Sequence, residues 1–186
     1  MMLNKNNAIR NLAIAVLLLS SAVAQAQTAT GVINGTLNHK DGIAIIFDTD
    51  PGGVVLGASG TSAVSADFGN ISAFGPLSAG VTRPIVGAAS YTVRTVFDVN
   101  VIQGGLNSTT YTLSAQLASV APTGFTYAVD AVTLTTVSQT IQVNAAYGTD
   151  IPHNLNLTVL TAAPGAGGPA VGAALTTTIN FTATAN

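Results

Sequence analysis

Tyr91-Thr92-Val93-Arg94-Thr95-Val96-Phe97-Asp98-Val99-Asn100-Val101 is the stretch that decides the fold. Tyr91, Val93, Thr95, Phe97, Val99 and Val101 share one parity. Thr92, Arg94, Asp98 and Asn100 share the other, with Val96 as the exception. Successive side chains of a strand point to opposite faces, so this period of two predicts a strand with one buried face. Gly104-Gly105-Leu106-Asn107 breaks the run. Tyr111, Leu113, Ala115 and Leu117 then alternate with Thr112, Ser114 and Gln116. Two alternating runs joined across a Gly-Gly turn predict an antiparallel pair.

Working outward, the same pattern recurs. Residues 125–129 and 132–137 are short candidates, and Ile141 and Val143 sit in another. Leu155, Leu157 and Val159 alternate with Asn154, Asn156 and Thr158. Near the end, Leu175, Thr177, Ile179, Phe181 and Ala183 face one way, which predicts a strand over residues 173–184. Upstream, Ile43-Ala44-Ile45-Ile46-Phe47 is a more continuously apolar strand, and residues 32–37 alternate around Gly35. Residues 52–89 are rich in Gly, Ala and Ser and predict long loops with one or two short strands. Residues 162–172 read as a Gly/Pro/Ala loop. Lys, Arg and Glu, which clothe a solvated helix face, are nearly missing, while β-branched residues abound. The expected class is all-β, an antiparallel sandwich of immunoglobulin-like or pilin-like type, with a small barrel as the alternative.

The N-terminus reads as a targeting segment. Lys5 and Arg10 precede the apolar run Leu12-Ala13-Ile14-Ala15-Val16-Leu17-Leu18-Leu19. Two small-x-small patterns follow, Ala22-Val23-Ala24 and Ala24-Gln25-Ala26. That is the layout of a cleavable secretory signal over residues 1–26. The run falls short of the roughly 20 residues of a membrane helix. The mature domain is then residues 27–186, with Lys40, Arg83 and Arg94 against seven Asp, a formal charge of −4. No later stretch has the apolar length of a membrane span, so the expected destination is the periplasm in transit, or the cell surface.

Composition excludes several chemistries. The chain has no Cys, which removes disulfides, thiolate zinc sites, iron–sulfur ligation and cysteine nucleophiles. Its slightly acidic balance lacks the basic footprint of a nucleic-acid binder. Asp48-Thr49-Asp50-Pro51-Gly52-Gly53, with Asp41 upstream, is the best polar cluster. Alternate carboxylates before glycine can wrap Ca²⁺, yet the calcium-loop spacing is incomplete and each residue also favours a plain turn. His39 and His153 are the only histidines and read as exposed or capping groups. Gly60-Thr61-Ser62-Ala63 departs from the Gly-x-Ser-x-Gly elbow. Asp67, Asp98, Asp130 and Asp150 have no spacing that predicts a glycosidase pair. Tyr91 and Tyr111 share parity with core positions and are expected in the core. Asn34, Asn70, Asn107, Asn156 and Asn180 begin Asn-x-Ser/Thr triplets, which arise readily in a Thr-rich chain. The expectation is a non-enzyme with no cofactor, metal or catalytic residue.

Export, short strands and few charges suit a protein that works by strand pairing, in which main-chain bonds give affinity and alternate side chains fill pockets. Ile33 and Leu37 lie on one parity with Gly31 and Gly35, and could plug a groove in another copy. The chain resembles the bacterial chaperone–usher fimbrial subunits in its N-terminal extension and its alternating C-terminal strand. That resemblance implies an incomplete immunoglobulin-like sandwich completed by the next subunit. It implies residues 28–37 as donor strand, with Leu175, Ile179 and Phe181 lining or bordering the acceptor groove. The chain lacks the Cys pair common in such subunits and ends Thr184-Ala185-Asn186 without their penultimate Tyr. Self-assembly is the expected partnership. A monomeric secreted module binding a ligand, such as a polysaccharide glycan, is the alternative.

Overall fold

A computed structural model describes residues 42–162, 168–169, 172 and 174–186. The targeting segment, His39, Asp41 and residues 28–37 lie outside the described residues. Among the described residues nine strands run in chain order: β1 (Gly42–Asp48), β2 (Thr82–Val86), β3 (Ser90–Gly104), β4 (Thr110–Leu117), β5 (Phe125–Val129), β6 (Val132–Thr133), β7 (Gln139–Ala146), β8 (Asp150–Leu160) and β9 (Ile179–Ala185). There is no helix among the described residues. Six strands form one antiparallel sheet in the order β1-β3-β8-β5-β6, with β2 also on β3, and the order β7-β4-β9 forms the second. The fold is an all-β sandwich.

β3 holds the larger sheet together. Its inward parity is buried from Tyr91 through Val101, with Val93, Val99 and Val101 fully so. Its outward parity carries a polar ladder against β8, where Thr92 bonds Thr158 at 2.8 Å and Arg94 Nε donates to Asn156 Oδ1 at 2.8 Å. Thr95 is the polar member of the buried parity, and its Oγ1 accepts from the Val54 amide at 2.8 Å. That bond explains how a hydroxyl is tolerated at a core position.

The structure overturns the expected pairing of β3 with β4. β3 pairs with β1, β2 and β8, and β4 with β7 and β9. The glycine-bearing link therefore crosses from one sheet to the other, with Gly105 at φ 79°. Alternation fixes which face of a strand is buried, and both strands bury theirs, but it does not say which strand lies alongside. Two strands with one apolar face each can meet face to face across a sandwich as readily as edge to edge.

Two boundaries also differ from expectation. The last strand begins at Ile179, not at residue 173, because its partner β4 ends at Leu117, which lies opposite Ile179. Alternation persists upstream with no strand to pair against, and Leu175 is exposed. The strand expected over 132–137 stops at Thr133, and the chain passes on to β7 with Leu134 buried in the core.

Residues 49–81 form a long excursion that is part of the core. β2 covers β3 at Tyr91–Arg94 and β1 covers it at Asp98–Gly104, leaving a gap on that edge. Gly53 fits the gap so closely that a Cβ there would collide with the Val96 carbonyl. Val54, Leu56 and Val81 then bury against the sandwich.

Leu113 is fully buried on β4 and faces the larger sheet. Leu113→Ala should cost roughly 2–5 kcal/mol in urea unfolding through lost apolar burial and a residual cavity. A loss within the scatter of surface substitutions, about 0.5 kcal/mol, would contradict the face-to-face packing.

Candidate functional site: the groove between two strand edges

The two long sides of the sandwich are closed differently. On one, the chain crosses directly from β6 to β7, Leu134 is buried, and the Leu117 amide donates to Thr135 O at 2.8 Å. On the other, β1 and β9 are the outermost strands of their sheets among the described residues. Between them runs a groove of about 470 Å³, walled by Ile43, Ile45 and Phe47 of β1 and Ile179 and Phe181 of β9, with Ser62 at its rim. A second hollow of about 340 Å³ shares Ile43 and Ala44 and reaches Gly104.

Register shows which main-chain groups face the groove. The Phe47 amide donates to Thr61 O at 2.9 Å, and Phe47 O accepts from the Gly60 amide at 2.8 Å. Both bonds leave β1 on the side away from β3. Main-chain groups alternate along an antiparallel strand, so Ile43 and Ile45 turn theirs outward as well. On β9, Thr178 O accepts from Ala118 and the Asn186 amide donates to Thr110 O, both toward the β4 side. Ile179, Phe181, Ala183 and Ala185 therefore turn theirs to the free edge. Among the described residues neither edge is paired by another strand beyond the bridge at Phe47 and Thr61.

The groove floor is aromatic. The Phe47 and Phe181 rings meet edge-on with centroids 5.1 Å apart, and Phe97 lies 5.8 Å from Phe181. Such packing holds rings in defined orientations. Of the residues expected here, Ile179 and Phe181 border the groove, whereas Leu175 does not line it. β1 supplies the other wall, a contribution that sequence reasoning missed; the uninterrupted apolar run Ile43–Phe47 was the available signal.

Behind Phe97 lies a polar pair, a buried histidine held by a partly exposed aspartate. His153 is 2% exposed, stacks at 6.0 Å from Phe97, and its Nδ1 sits 2.8 Å from Asp130 Oδ2. This corrects the expectation of an exposed or capping histidine. His153 shares parity with the inward Leu155, Leu157 and Val159, and Asp130 makes its burial tolerable. Asp130 stands in the β5–β6 turn at φ 54°, where its Oδ1 accepts from the Asn154 amide at 2.8 Å. Burial pushes the Asp130 carboxyl up, but the Asn154 amide and the His153 ring outweigh it and leave it below its ordinary value. His153 Nε2 is buried without a protein partner.

The outer face of the larger sheet carries an acidic end. Asp48 lies opposite Asp98, and Asn100 Nδ2 donates to Asp150 Oδ1 at 2.8 Å. Burial first, then Asp50, Asp150 and Asp48, push the Asp98 carboxyl up. Asp50 itself makes a turn, its Oδ1 accepting from Gly52 at 2.6 Å and its carbonyl from Gly53 at 2.9 Å. No group of three or more metal-ligating side chains is assembled among the described residues. Asp67 likewise accepts from Gly69 at 2.7 Å. Tyr91 and Tyr111 lie in the core, and Asn156 is buried between Arg94 and Asp130, closed to modification. No helix among the described residues is long and apolar enough to cross a membrane.

The two shifted carboxyls predict opposite pH behaviour. Asp130, lowered on folding, stabilises above the ordinary carboxylate range, and that contribution is lost as pH falls through its folded value. The melting temperature of Asp130→Asn should lie below wild type at neutral pH, with the gap narrowing on acidification. A gap independent of pH would remove the ionised Asp130 carboxylate from the account. Asp98, raised on folding, is a liability once ionised. Asp98→Asn should melt higher than wild type at neutral pH, with the gain shrinking as acid or salt is added. A lower melt at neutral pH in dilute buffer would show that the carboxylate is stabilising.

Comparison with protein-family models finds no match, and no curated protein is significantly similar to this chain.

Proposed function

We propose that this chain is an exported, non-catalytic structural subunit of a bacterial surface or extracellular assembly, and that copies join by strand addition. The observation that carries the reading is the groove between β1 and β9. It is walled by apolar side chains and flanked by main-chain groups turned outward from Ile43 and Ile45 on one edge and from Ile179 to Ala185 on the other. An extended segment placed there would gain main-chain bonds from an edge and bury alternate side chains between the sheets.

The proposed occupant is residues 28–37 of a second copy. Ile33 and Leu37 would fill the groove, and Gly31 and Gly35 would ease close approach. The segment lies just ahead of β1, so each copy carries both an acceptor groove and, a few residues upstream, a donor. A head-to-tail contact of this kind propagates an open array unless its rotation closes a ring. The edges support the reading through what they lack. Natural sheets guard free edges with charges, Pro or bulges. Gly42–Phe47 and Ile179–Ala185 contain no charged residue and no Pro.

A second reading has its own observation. Phe74 is 87% exposed at the tip of a loop clamped by Arg83, which donates from Nε to Ser72 O at 2.9 Å and from Nη2 to Gly75 O at 2.7 Å. A rigidly displayed aromatic ring suits a monomeric ligand-binding module, because little ordering entropy is spent on binding and the ring face can stack on a sugar. Saturable glycan binding lost in Phe74→Ala and kept in Ile43→Lys would favour this reading over assembly.

The test is solution mass by light scattering after size-exclusion chromatography. The mature protein should give a ladder of species, and deletion of residues 28–37 should collapse it to monomer. Ile43→Lys, at an edge position already 36% exposed, should do the same while leaving the fold intact. A wild-type protein that stays monomeric at high concentration, or a deletion variant that assembles normally, would defeat the reading.

A further inference from the structure

An added strand needs a defined register, and the candidate donor does not supply one by itself. A slip of one residue would turn Ile33 and Leu37 away from the core, so it is strongly disfavoured. A slip of two keeps the correct face. A slip of four restores the pattern as well, because Gly31, Ile33, Gly35 and Leu37 alternate small and large on a four-residue period. The groove's side-chain walls are mostly apolar, Ile43, Ile45 and Phe47 on β1 and Ile179 and Phe181 on β9, with Asn180 and Ser62 as polar members, and apolar contacts of this kind discriminate weakly between these placements. Something in the fold must mark where the strand ends.

We infer that the hairpin-like loop of residues 57–65 is that mark, an end-stop that fixes the register of the strand added to the groove. Gly57 and Ser65 exchange two main-chain bonds, of 2.9 and 3.1 Å, which close the loop at its base. At its tip Gly60 and Thr61 occupy both outward main-chain groups of Phe47. Ser59 anchors the tip a second time, since its Oγ donates to Asp48 Oδ1 at 3.3 Å and accepts from the Thr49 amide at 3.0 Å. Thr61 Oγ1 braces the turn by donating to Ala58 O at 2.8 Å. The loop thus ends the free edge of β1 at Phe47 and sets Ser62 at the groove's rim. Among the described residues no strand pairs the outward groups of Ile43 and Ile45, so a strand adding along β1 would bond these and then meet the loop. The inference rests on the strand-addition reading and adds to it the element that chooses the register.

The native chain has no Cys, so engineered pairs report without background. Ser62→Cys would be combined, one at a time, with Val32→Cys, Asn34→Cys, Thr36→Cys and Asn38→Cys in the full mature chain. These positions lie on the parity that leaves Ile33 and Leu37 intact. Two residues advance a strand by about 6.6 Å, and a disulfide tolerates a Cα separation of only about 4.4–6.8 Å, so neighbouring positions are distinguishable. With the stop in place, one pair should oxidise roughly tenfold faster than the pairs on either side. Ser59→Ala, which frees the tip from Asp48 and Thr49, should spread cross-linking over positions two and four residues apart. A shortened 58–63 loop, checked for a native far-ultraviolet spectrum and cooperative melt, should spread it further.

Equal rates at all four positions in the intact protein would overturn the stop. So would a single sharp position that survives both loop variants. If no pair forms and deletion of residues 28–37 leaves assembly unchanged, strand addition itself fails and the stop fails with it. If the deletion abolishes assembly while cross-linking stays uniform, only the stop is lost.

Discussion

The antiparallel ladder between β3 and β8, from Ser90 opposite Leu160 to Asn100 opposite Asp150, is the constraint on which the rest of the molecule depends. It sets a long central pair whose inward parity is apolar but for Thr95 on β3 and His153 on β8, and whose outward parity is mainly polar. Every other strand of the larger sheet is placed by one of these two. β1 and β2 share the free edge of β3, and β5 takes the free edge of β8 and carries β6. The smaller sheet then has one face to cover, and Leu113, Ala115 and Leu117 of β4 cover it. A chain with so few charges has little else to direct it. Burial of one parity against the other supplies nearly all the specificity of the fold.

That dependence explains what was legible. Faces were legible, because parity is a local property: Tyr91 to Val101 and Tyr111 to Leu117 are buried on the side that alternation predicts. Neighbours were not. Gly104-Gly105 looks like a hairpin turn, yet β3 and β4 belong to different sheets. Nothing in two alternating runs says whether they meet by their edges or by their faces, since the choice is made by strands distant in sequence, here β8 and β9. The excursion over residues 49–81 was legible as loop but not as core. Val54 and Leu56 bury because Gly53 slots against the Val96 carbonyl, a packing event that leaves no periodic trace.

His153 marks the boundary between the two kinds of information. Its parity placed it inward with Leu157 and Val159, while its chemistry argued for the surface. The structure resolves the conflict through Asp130, which approaches from a turn with positive φ and is far away in sequence. A buried imidazole needs a partner for its Nδ1, and Asp130 provides one while spending its other oxygen on the Asn154 amide. A single polar residue on an apolar parity thus has two physical outcomes, a broken strand or a buried partner. Only the three-dimensional arrangement distinguishes them. The groove follows the same rule: only the fimbrial resemblance pointed to Phe181 beside a groove, and the apolar run Ile43–Phe47 marked a strand without saying that it stands opposite.

The same cluster ties the two features together and bears on what the groove can do. Phe181 packs on Phe47 and Phe97, and Phe97 stacks on the His153 that Asp130 holds. The groove floor is therefore braced from behind by a hydrogen-bonded pair and is not a loose apolar seam. Rigidity matters to an acceptor surface, because side chains already fixed in one rotamer lose little entropy when a ligand covers them. It also limits the liability of an unguarded edge. A flexible apolar edge would accept many sequences in many registers, which is the route to aggregation. On the strand-addition proposal, an edge of fixed shape, whose outward-turned groups at Ile43 and Ile45 no described strand pairs and whose end a braced loop closes, would accept a short strand and little more. Length restriction, in place of the charges these two edges lack, would then keep the open edge selective.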